Sequence, residues 1–161
     1  MIFLRVFIYP FPIFNSTGKT IGFGGRVTDD SMPKYLNSKD SKFFNKTREL
    51  YGFNNAKKDH KTEDFIVTEG YMDVVMLSEY GINNAVASLG TAFSQNHMNS
   101  MFKLRRKITF CFDSDEAGLK AAWRALQISL KHVIDDKTVR FLFLPEGYDP
   151  DSFVKEKGEQ E

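Results

Sequence analysis

Two aspartates lie one residue apart, directly after a short apolar run in the second half of the chain. The run is residues 108–112, and Asp113 and Asp115 follow it, ahead of Gly118 and an alanine-rich segment. The run is typical of a buried strand and the segment after it of a helix. Two carboxylates about 4 Å apart repel each other by roughly 4 kcal/mol at an effective dielectric of about 20. A divalent cation would relieve that repulsion, and carboxylate oxygens favour Mg²⁺ or Mn²⁺.

Acidic residues also follow two other predicted strands. Glu69 follows a strand at residues 65–67, and Asp149 and Asp151 follow a strand at residues 139–144. Because the carboxyl ends of parallel strands meet at one edge of a sheet, these carboxylates should converge with the first pair. So much negative charge requires cations, so the pattern favours a site for metal-dependent phosphoryl transfer.

A structural role accounts for part of the same pattern. Aspartate is a favoured helix N-cap, and acidic side chains suit the first turn of a helix. Asp149-Pro150-Asp151 fits a cap followed by proline at the first helical position. Asp73, four residues after Glu69, either supports the site from behind the ligands or suits the helix dipole. His97 and His132 fall in predicted helices without a partnered ligand pattern, so they are expected to fill core or surface positions.

From residue 64 onwards strands and helices are predicted to alternate. The strands fall at residues 65–67, 85–87, 108–112 and 139–144, and the helices at residues 71–80, 94–103 and 115–132. This order indicates an α/β fold with a four-stranded parallel sheet wound by right-handed crossovers. Upstream, residues 15–18 should form the turn of a hairpin, and residues 54–63 a linker or helix end. We divide the chain into a basic amino-terminal subdomain, residues 1–62, and a catalytic domain, residues 63–161.

Charge is distributed unevenly, although the net charge is only +1. Residues 1–62 contain 11 basic and 5 acidic residues, whereas residues 63–161 contain 11 basic and 16 acidic residues. A basic part joined to an acidic part suggests binding of a polyanion beside metal chemistry. Arg26, directly after a glycine-rich stretch, is a candidate phosphate contact.

Basic and aromatic residues interleave between residues 34 and 48, where Lys34 precedes Tyr35 and Lys46 follows Phe43 and Phe44. Such a mixture suits single-stranded nucleic acid, with cations on phosphates and rings under bases. The rings could equally belong to the core, which we favour for the two phenylalanines.

The sequence also indicates a cellular location. Cys111 is the single cysteine and stands inside an apolar run, so we expect a buried thiol. One cysteine allows neither an internal disulfide nor a cysteine-rich zinc site, which fits a reducing cytoplasm. The apolar start, residues 1–14, is too short to span a bilayer and lacks the features of a signal peptide, so no membrane association is expected.

The acidic strand ends resemble the three motifs of the Toprim fold, namely Glu69-Gly70-Tyr71-Met72-Asp73-Val74, Asp113-Ser114-Asp115 and Asp149-Pro150-Asp151. The upstream stretches are similar to the catalytic core of DnaG-type bacterial DNA primases, namely residues 21–27, 33–38 and 46–52. The resemblance covers roughly residues 11–155. It implies a Toprim-type four-stranded parallel sheet flanked by helices, preceded by a small mixed α+β subdomain.

The resemblance also implies an activity and its residues. Glu69, Asp113 and Asp115 would be catalytic, with Glu69 as the acid/base or metal-organising residue. Mg²⁺ or Mn²⁺ would be held by the acidic motifs, that is by Glu69, Asp113, Asp115, Asp149 and Asp151. Template DNA or an RNA–DNA hybrid would contact the basic part, at Arg26, Lys34, Asn37 and Lys46. The implied reaction is nucleotidyl transfer from ribonucleoside triphosphates, which makes short RNA primers on single-stranded DNA during replication.

Departures from the family pattern leave alternatives open. Ser114 stands where the family usually has glycine, and Phe14-Asn15 replaces a basic–acidic pair. The zinc-ribbon, helical and helicase-binding domains of the family have no counterpart, so we expect a fragment without zinc and without the helicase contact. The alternatives are another Toprim enzyme, such as a nuclease or topoisomerase, and a non-catalytic protein that binds single-stranded DNA. A topoisomerase would need a tyrosine nucleophile from another domain.

Overall fold

The computed structural model describes residues 8–27, 35–132 and 136–158. The chain first forms a three-stranded antiparallel sheet in the order β1-β2-β3, from β1 (Ile8–Phe14), β2 (Thr20–Val27) and β3 (Tyr35–Asn37). The predicted hairpin is confirmed. The Asn15 side-chain oxygen accepts hydrogen bonds from the N–H groups of Thr17 and Lys19, which close the turn between β1 and β2.

The second sheet has four parallel strands in the order β5-β4-β6-β7. Its strands are β4 (Asp64–Thr68), β5 (Ala85–Ala87), β6 (Lys107–Phe112) and β7 (Thr138–Phe143). The helices are α1 (Phe53–Ala56), α2 (Tyr71–Glu79), α3 (Gln95–Phe102), α4 (Glu116–Ser129) and α5 (Pro150–Lys157). The predicted α/β fold with a four-stranded parallel sheet is therefore confirmed. No helix in the described part of the chain is long and apolar enough to cross a membrane.

Helices cover both faces of the parallel sheet over β4, β5 and β6, whose residues are largely buried, whereas β7 stays partly exposed. On one face, α3 and α4 pack against a core that includes Phe65, Ile108 and Phe110. On the other face, α2 packs with Ile13 and Phe44 from the amino-terminal part. The three-stranded sheet thus shares a hydrophobic core with the parallel sheet. The boundary between residues 62 and 63 stays a prediction.

Two predictions about buried side chains hold and one is wrong. Cys111 is buried, and Phe44 is only 1% exposed. Phe43, however, is 81% exposed, so it does not belong to the core. The two phenylalanines are neighbours in an irregular segment, where side chains diverge and only one of them reaches the core.

Two polar side chains join distant parts of the chain. His97 is fully buried, as core filling requires. Its Nδ1 accepts a hydrogen bond from the Ser94 N–H, so its Nε2–H donates to the Lys46 carbonyl at 3.1 Å. Burial lowers the pKa of His97 to about 4, which keeps the ring neutral. The segment that carries Lys46 is thereby attached to the start of α3.

Arg105 makes the second connection. Its guanidinium donates to the Ala56 carbonyl at 2.7 Å and to the carbonyls of Asp59 and Asp64, and it lies 4.4 Å from the centre of the Phe65 ring. A single cation thus satisfies the backbone oxygens of the segment that enters β4.

Candidate active site

Three acidic segments meet at the carboxyl edge of the parallel sheet. Glu69 follows β4, Asp113 follows β6 and Asp149 follows β7, and these strands are neighbours in the sheet. Glu69 Oε1 accepts a hydrogen bond from the Asp113 N–H at 3.2 Å, so the first two segments are in contact. The strand order therefore brings the acidic segments to one edge of the sheet, as the sequence predicted.

Burial first, and the neighbouring negative charges second, raise the pKa values of three of these acids. Burial raises the pKa of Glu69, and the charges of Asp113, Asp115 and Asp73 raise it further, against the opposing effect of the Asp113 N–H. Burial, together with Asp115 and Asp149, raises the pKa of Asp113. Burial and the same acidic surroundings raise the pKa of Asp73 to about 6. The edge is therefore a place where added positive charge is stabilising.

Several of these carboxylates also accept hydrogen bonds from the first backbone N–H groups of helices. Asp115 is the N-cap of α4 and accepts from the Gly118 N–H at 2.7 Å. Asp149 is the N-cap of α5 and accepts from Ser152, whose hydrogen bonds lower the pKa of Asp149. Asp73 accepts from the Gly70 N–H at 2.9 Å at the start of α2. Each cap uses one carboxylate oxygen and leaves the other available. The same residues can therefore cap a helix and bind a metal.

Asp113 and Asp151 are not used as caps. The Asp113 carboxylate accepts no hydrogen bond from the residues that the structure describes, and Asp151 Oδ1 is buried without a partner among them. A buried oxygen without a donor is costly, so it is a natural place for a cation or a bridging water.

Gly118 lets the first turn of α4 pack against Asp113 and Glu69. A Cβ atom at this position would lie 2.2 Å from the Asp113 carbonyl oxygen and 2.9 Å from Oε1 of Glu69. No side chain fits there, so the first turn of α4 can rest directly on the acidic loop. The sequence shows only a glycine in the first turn of a predicted helix, a signal too weak to reveal this contact.

Asp113, Asp115 and Asp149 border a cavity of about 780 Å³, which is lined by residues 113–115 and 144–149. Within the described ranges, no three acidic, histidine or cysteine side chains lie close enough together to form a ready metal cluster. The donor set nevertheless fits Mg²⁺, which usually binds through one or two carboxylates, water and substrate phosphates. Asp113 and Asp151 provide the unengaged oxygens, and Glu69 contacts the Asp113 backbone.

The candidate template contacts lie on the amino-terminal part. Arg26 is exposed on β2, and Asn37 ends β3 with its Oδ1 buried and unpartnered within the described residues. Lys46 is half-buried in the segment that His97 attaches to α3. Lys34 lies outside the described residues. Arg26 and Asn37 therefore share one sheet, and Lys46 belongs to a separate segment.

Two family models match the chain in adjoining stretches. Residues 66–154 match the model described as Toprim-like, and residues 5–57 match the model described as DNA primase catalytic core, N-terminal domain. The parallel sheet with its acidic edge corresponds to the first, and the antiparallel sheet to the second. The chain belongs to the Toprim-like family, as a catalytic-core segment of the DnaG type of DNA primase.

Similar proteins agree with this assignment. The DNA primase of Pseudomonas aeruginosa is 55% identical over 150 residues, which is 92% of this chain and 23% of that protein. The Escherichia coli primase catalytic core superposes with a TM-score of 0.90 at 46% identity, covering 95% of this chain and 49% of that one. A DnaG primase catalytic domain bound to single-stranded DNA superposes with a TM-score of 0.89 at 45% identity, covering 95% of this chain and 50% of that one. The chain thus spans about a quarter of the length of the curated relatives.

Proposed function

We propose that this chain carries the metal-dependent centre of a DNA primase, a nucleotidyltransferase that makes short RNA primers on single-stranded DNA. The observation that carries the proposal is the meeting of Glu69, Asp113 and Asp115 at one sheet edge, beside the antiparallel sheet that carries Arg26. The relatives named DNA primase support the reaction, and the neighbour bound to single-stranded DNA supports the template. Ribonucleoside triphosphates would be the substrates and an RNA–DNA hybrid the product.

The acidic edge would hold Mg²⁺ or Mn²⁺. Asp113 and Asp151 have unengaged oxygens, and Asp115 and Asp149 keep one each after capping their helices. Glu69 adjoins Asp113. Bound metal would neutralise phosphate charge and lower the pKa of the attacking 3′-hydroxyl. The caps fix the orientation of Asp115 and Asp149, so the donors are preorganised.

Glu69 would either act as the general base or hold the Asp113 loop in position. Its pKa is raised, which brings a carboxylate nearer to the range in which a general base works well. Glu69 also accepts a hydrogen bond from the Asp113 N–H, so any displacement of Glu69 displaces the Asp113 loop. Proton transfer requires the carboxylate, whereas orientation of the loop requires only a hydrogen-bond acceptor, which Glu69→Gln retains.

Primer synthesis on a single-stranded template, with ribonucleotides and Mg²⁺ or Mn²⁺, tests the proposal. We expect labelled oligoribonucleotides from the wild type and at least about a hundredfold less from Asp113→Asn, because a carboxylate that faces developing charge is lost. The fold should persist, since the change removes a like charge from a crowded acidic edge. Asp136→Asn is the matched control, because Asp136 is an exposed acid paired with Arg106 just ahead of β7, at the other end of that strand.

Three results would count against the proposal. Equal product from Asp113→Asn would remove Asp113 from the centre. Unfolding of that variant at ordinary temperature would make Asp113 structural. No product from the wild type, with Mn²⁺ binding that Asp113→Asn abolishes, would leave a metal site without catalysis by this chain alone.

A further inference from the structure

A second cavity, of about 180 Å³, lies between β1 and the second half of α2, beside α1 and the start of β5. We refer to it as the α2 cavity. Among the residues that the structure describes, its lining includes none of the acids that follow β4, β6 and β7. A helix rises about 1.5 Å per residue, so Glu79, which lines the cavity, lies about 9 Å along α2 from Asp73. The α2 cavity is therefore separate from the acidic edge.

The α2 cavity has an apolar wall. It is built by β1, by α2 and by the segments beside them, namely by Pro12, Phe14, Tyr51, Val74, Val75 and Ile82. Two of these side chains are aromatic, and aromatic rings pack favourably on one another. The volume is below the range of sites for drug-sized ligands, so the wall suits a molecule with a single ring.

Asn54 lines the α2 cavity as a buried polar residue without a partner. It is only 8% exposed, and its side-chain amide makes no hydrogen bond with a residue that the structure describes. Ser78 and Asn83, which also line the cavity, are bonded to each other at 2.8 Å. A buried amide without a partner is costly, so a ligand that bonds to Asn54 would be favoured.

Glu79 gives the α2 cavity a negative charge. Its carboxylate forms neither a hydrogen bond nor an ion pair with another residue in the described part of the chain. No lysine or arginine is present among the described residues that line the cavity. The charge therefore favours a cationic ligand and opposes phosphate groups, which excludes a nucleic acid as the occupant.

We propose that the α2 cavity binds a small aromatic amine in its protonated form. The ring lies against the apolar wall, and the ammonium group donates to the Glu79 carboxylate and to the side-chain oxygen of Asn54. An ammonium group has three donors and no acceptor, so it can bond to both oxygens. Hydrogen bonds between charged groups are about twice as strong as neutral ones, so the site prefers an amine to an alcohol of the same shape.

2-Phenylethylamine is the probe, and NMR titration of the isotope-labelled chain measures its binding. We expect a Kd of about 1 mM or tighter, with the shifted backbone signals concentrated in residues 74–85. 2-Phenylethanol, which has the same shape without the charge, should bind about tenfold more weakly. Phenylacetate, which has the opposite charge, should not bind. Equal affinity for the amine and the alcohol, or no shift in residues 74–85, would overturn the proposal.

Two variants test the polar contacts. Glu79→Gln keeps the shape of the side chain without its charge, so it should abolish the preference for the amine over the alcohol. Asn54→Leu should weaken binding of the amine about fivefold. Its melting temperature should equal or exceed that of the wild type, because the change removes an unpartnered buried amide at nearly constant volume. A lower melting temperature would show that the fold itself satisfies the amide, and unchanged amine affinity in either variant would refute the site.

Asp113→Asn is the control for amines that are attracted to the acidic edge. Its affinity for 2-phenylethylamine should equal that of the wild type, because Asp113 does not line the α2 cavity. A loss of affinity in Asp113→Asn would place the amine at the acidic edge and overturn the proposal. Primer synthesis remains an independent test of the proposed function, because that reaction uses no residue of the α2 cavity.

Discussion

Gly118→Ala should disrupt the acidic edge, although alanine is the better helix former. The added methyl group would lie 2.2 Å from the Asp113 carbonyl oxygen, which is backbone and cannot rotate away. Overpacking of this kind costs about 1–3 kcal/mol, and a backbone contact belongs at the upper end of that range. Alanine returns about 1 kcal/mol of helix propensity. The net loss of stability should be about 2 kcal/mol, or about 4–8 °C in the melting temperature of a chain of this size.

The relaxation that removes the clash must move the Asp113 loop or the start of α4. A displacement of about 1 Å at a reacting centre costs about a hundredfold in rate, so primer synthesis should fall with stability. Thermal unfolding followed by circular dichroism and the primer assay measure the two effects. Gly70→Ala is the matched control, because the nearest atom to its Cβ is Asp73 Oδ2 at an ordinary 3.4 Å and Gly70 has an extended backbone. It should cost less than about 1 kcal/mol.

A Gly118→Ala protein as stable as the wild type would refute the crowding argument. A destabilised variant that retains full activity would show that the contact is structural and does not position Asp113.

Three further changes separate structural roles from functional ones. His97 contributes stability above about pH 6.5 that is lost as the pH falls toward its folded pKa of about 4, roughly 3 kcal/mol in total. Between about pH 7 and about pH 5, urea unfolding should therefore show a larger loss of unfolding free energy for the wild type than for His97→Gln. Equal losses in the two proteins would contradict the neutral buried ring. Arg105→Lys should cost about 3 kcal/mol because a lysine cannot reach all of the backbone carbonyls, whereas Arg106→Ala should cost less than about 1 kcal/mol at an exposed pair. Asp149→Ser should keep the cap of α5 and its stability but weaken Mn²⁺ binding, while Asp149→Ala should lose about 1 kcal/mol as well; unchanged Mn²⁺ affinity in both would limit Asp149 to capping.

Local sequence patterns predict much of this architecture. Apolar runs of strand length, and Ser94, Asp115 and Asp149 at helix starts, predict the alternation of strands and helices that the structure contains. The same patterns put acids directly after strands, so their gathering at one edge follows once the sheet is parallel. What each acid does chemically stays a prediction, because capping and metal binding call for the same residue types at the same positions.

The tertiary structure decided what depends on contacts between distant residues. The strand order β5-β4-β6-β7 makes Glu69 and Asp113 neighbours, and no local pattern specifies which strands pair. Antiparallel register aligns Tyr9, Arg26 and Tyr35, although they are spread over 27 residues of sequence. By itself, then, the sequence determined the elements and their acidic ends, because propensity and capping act over a few residues. Packing determined neighbours, register and the space around each side chain, because these arise only when separate segments share one core.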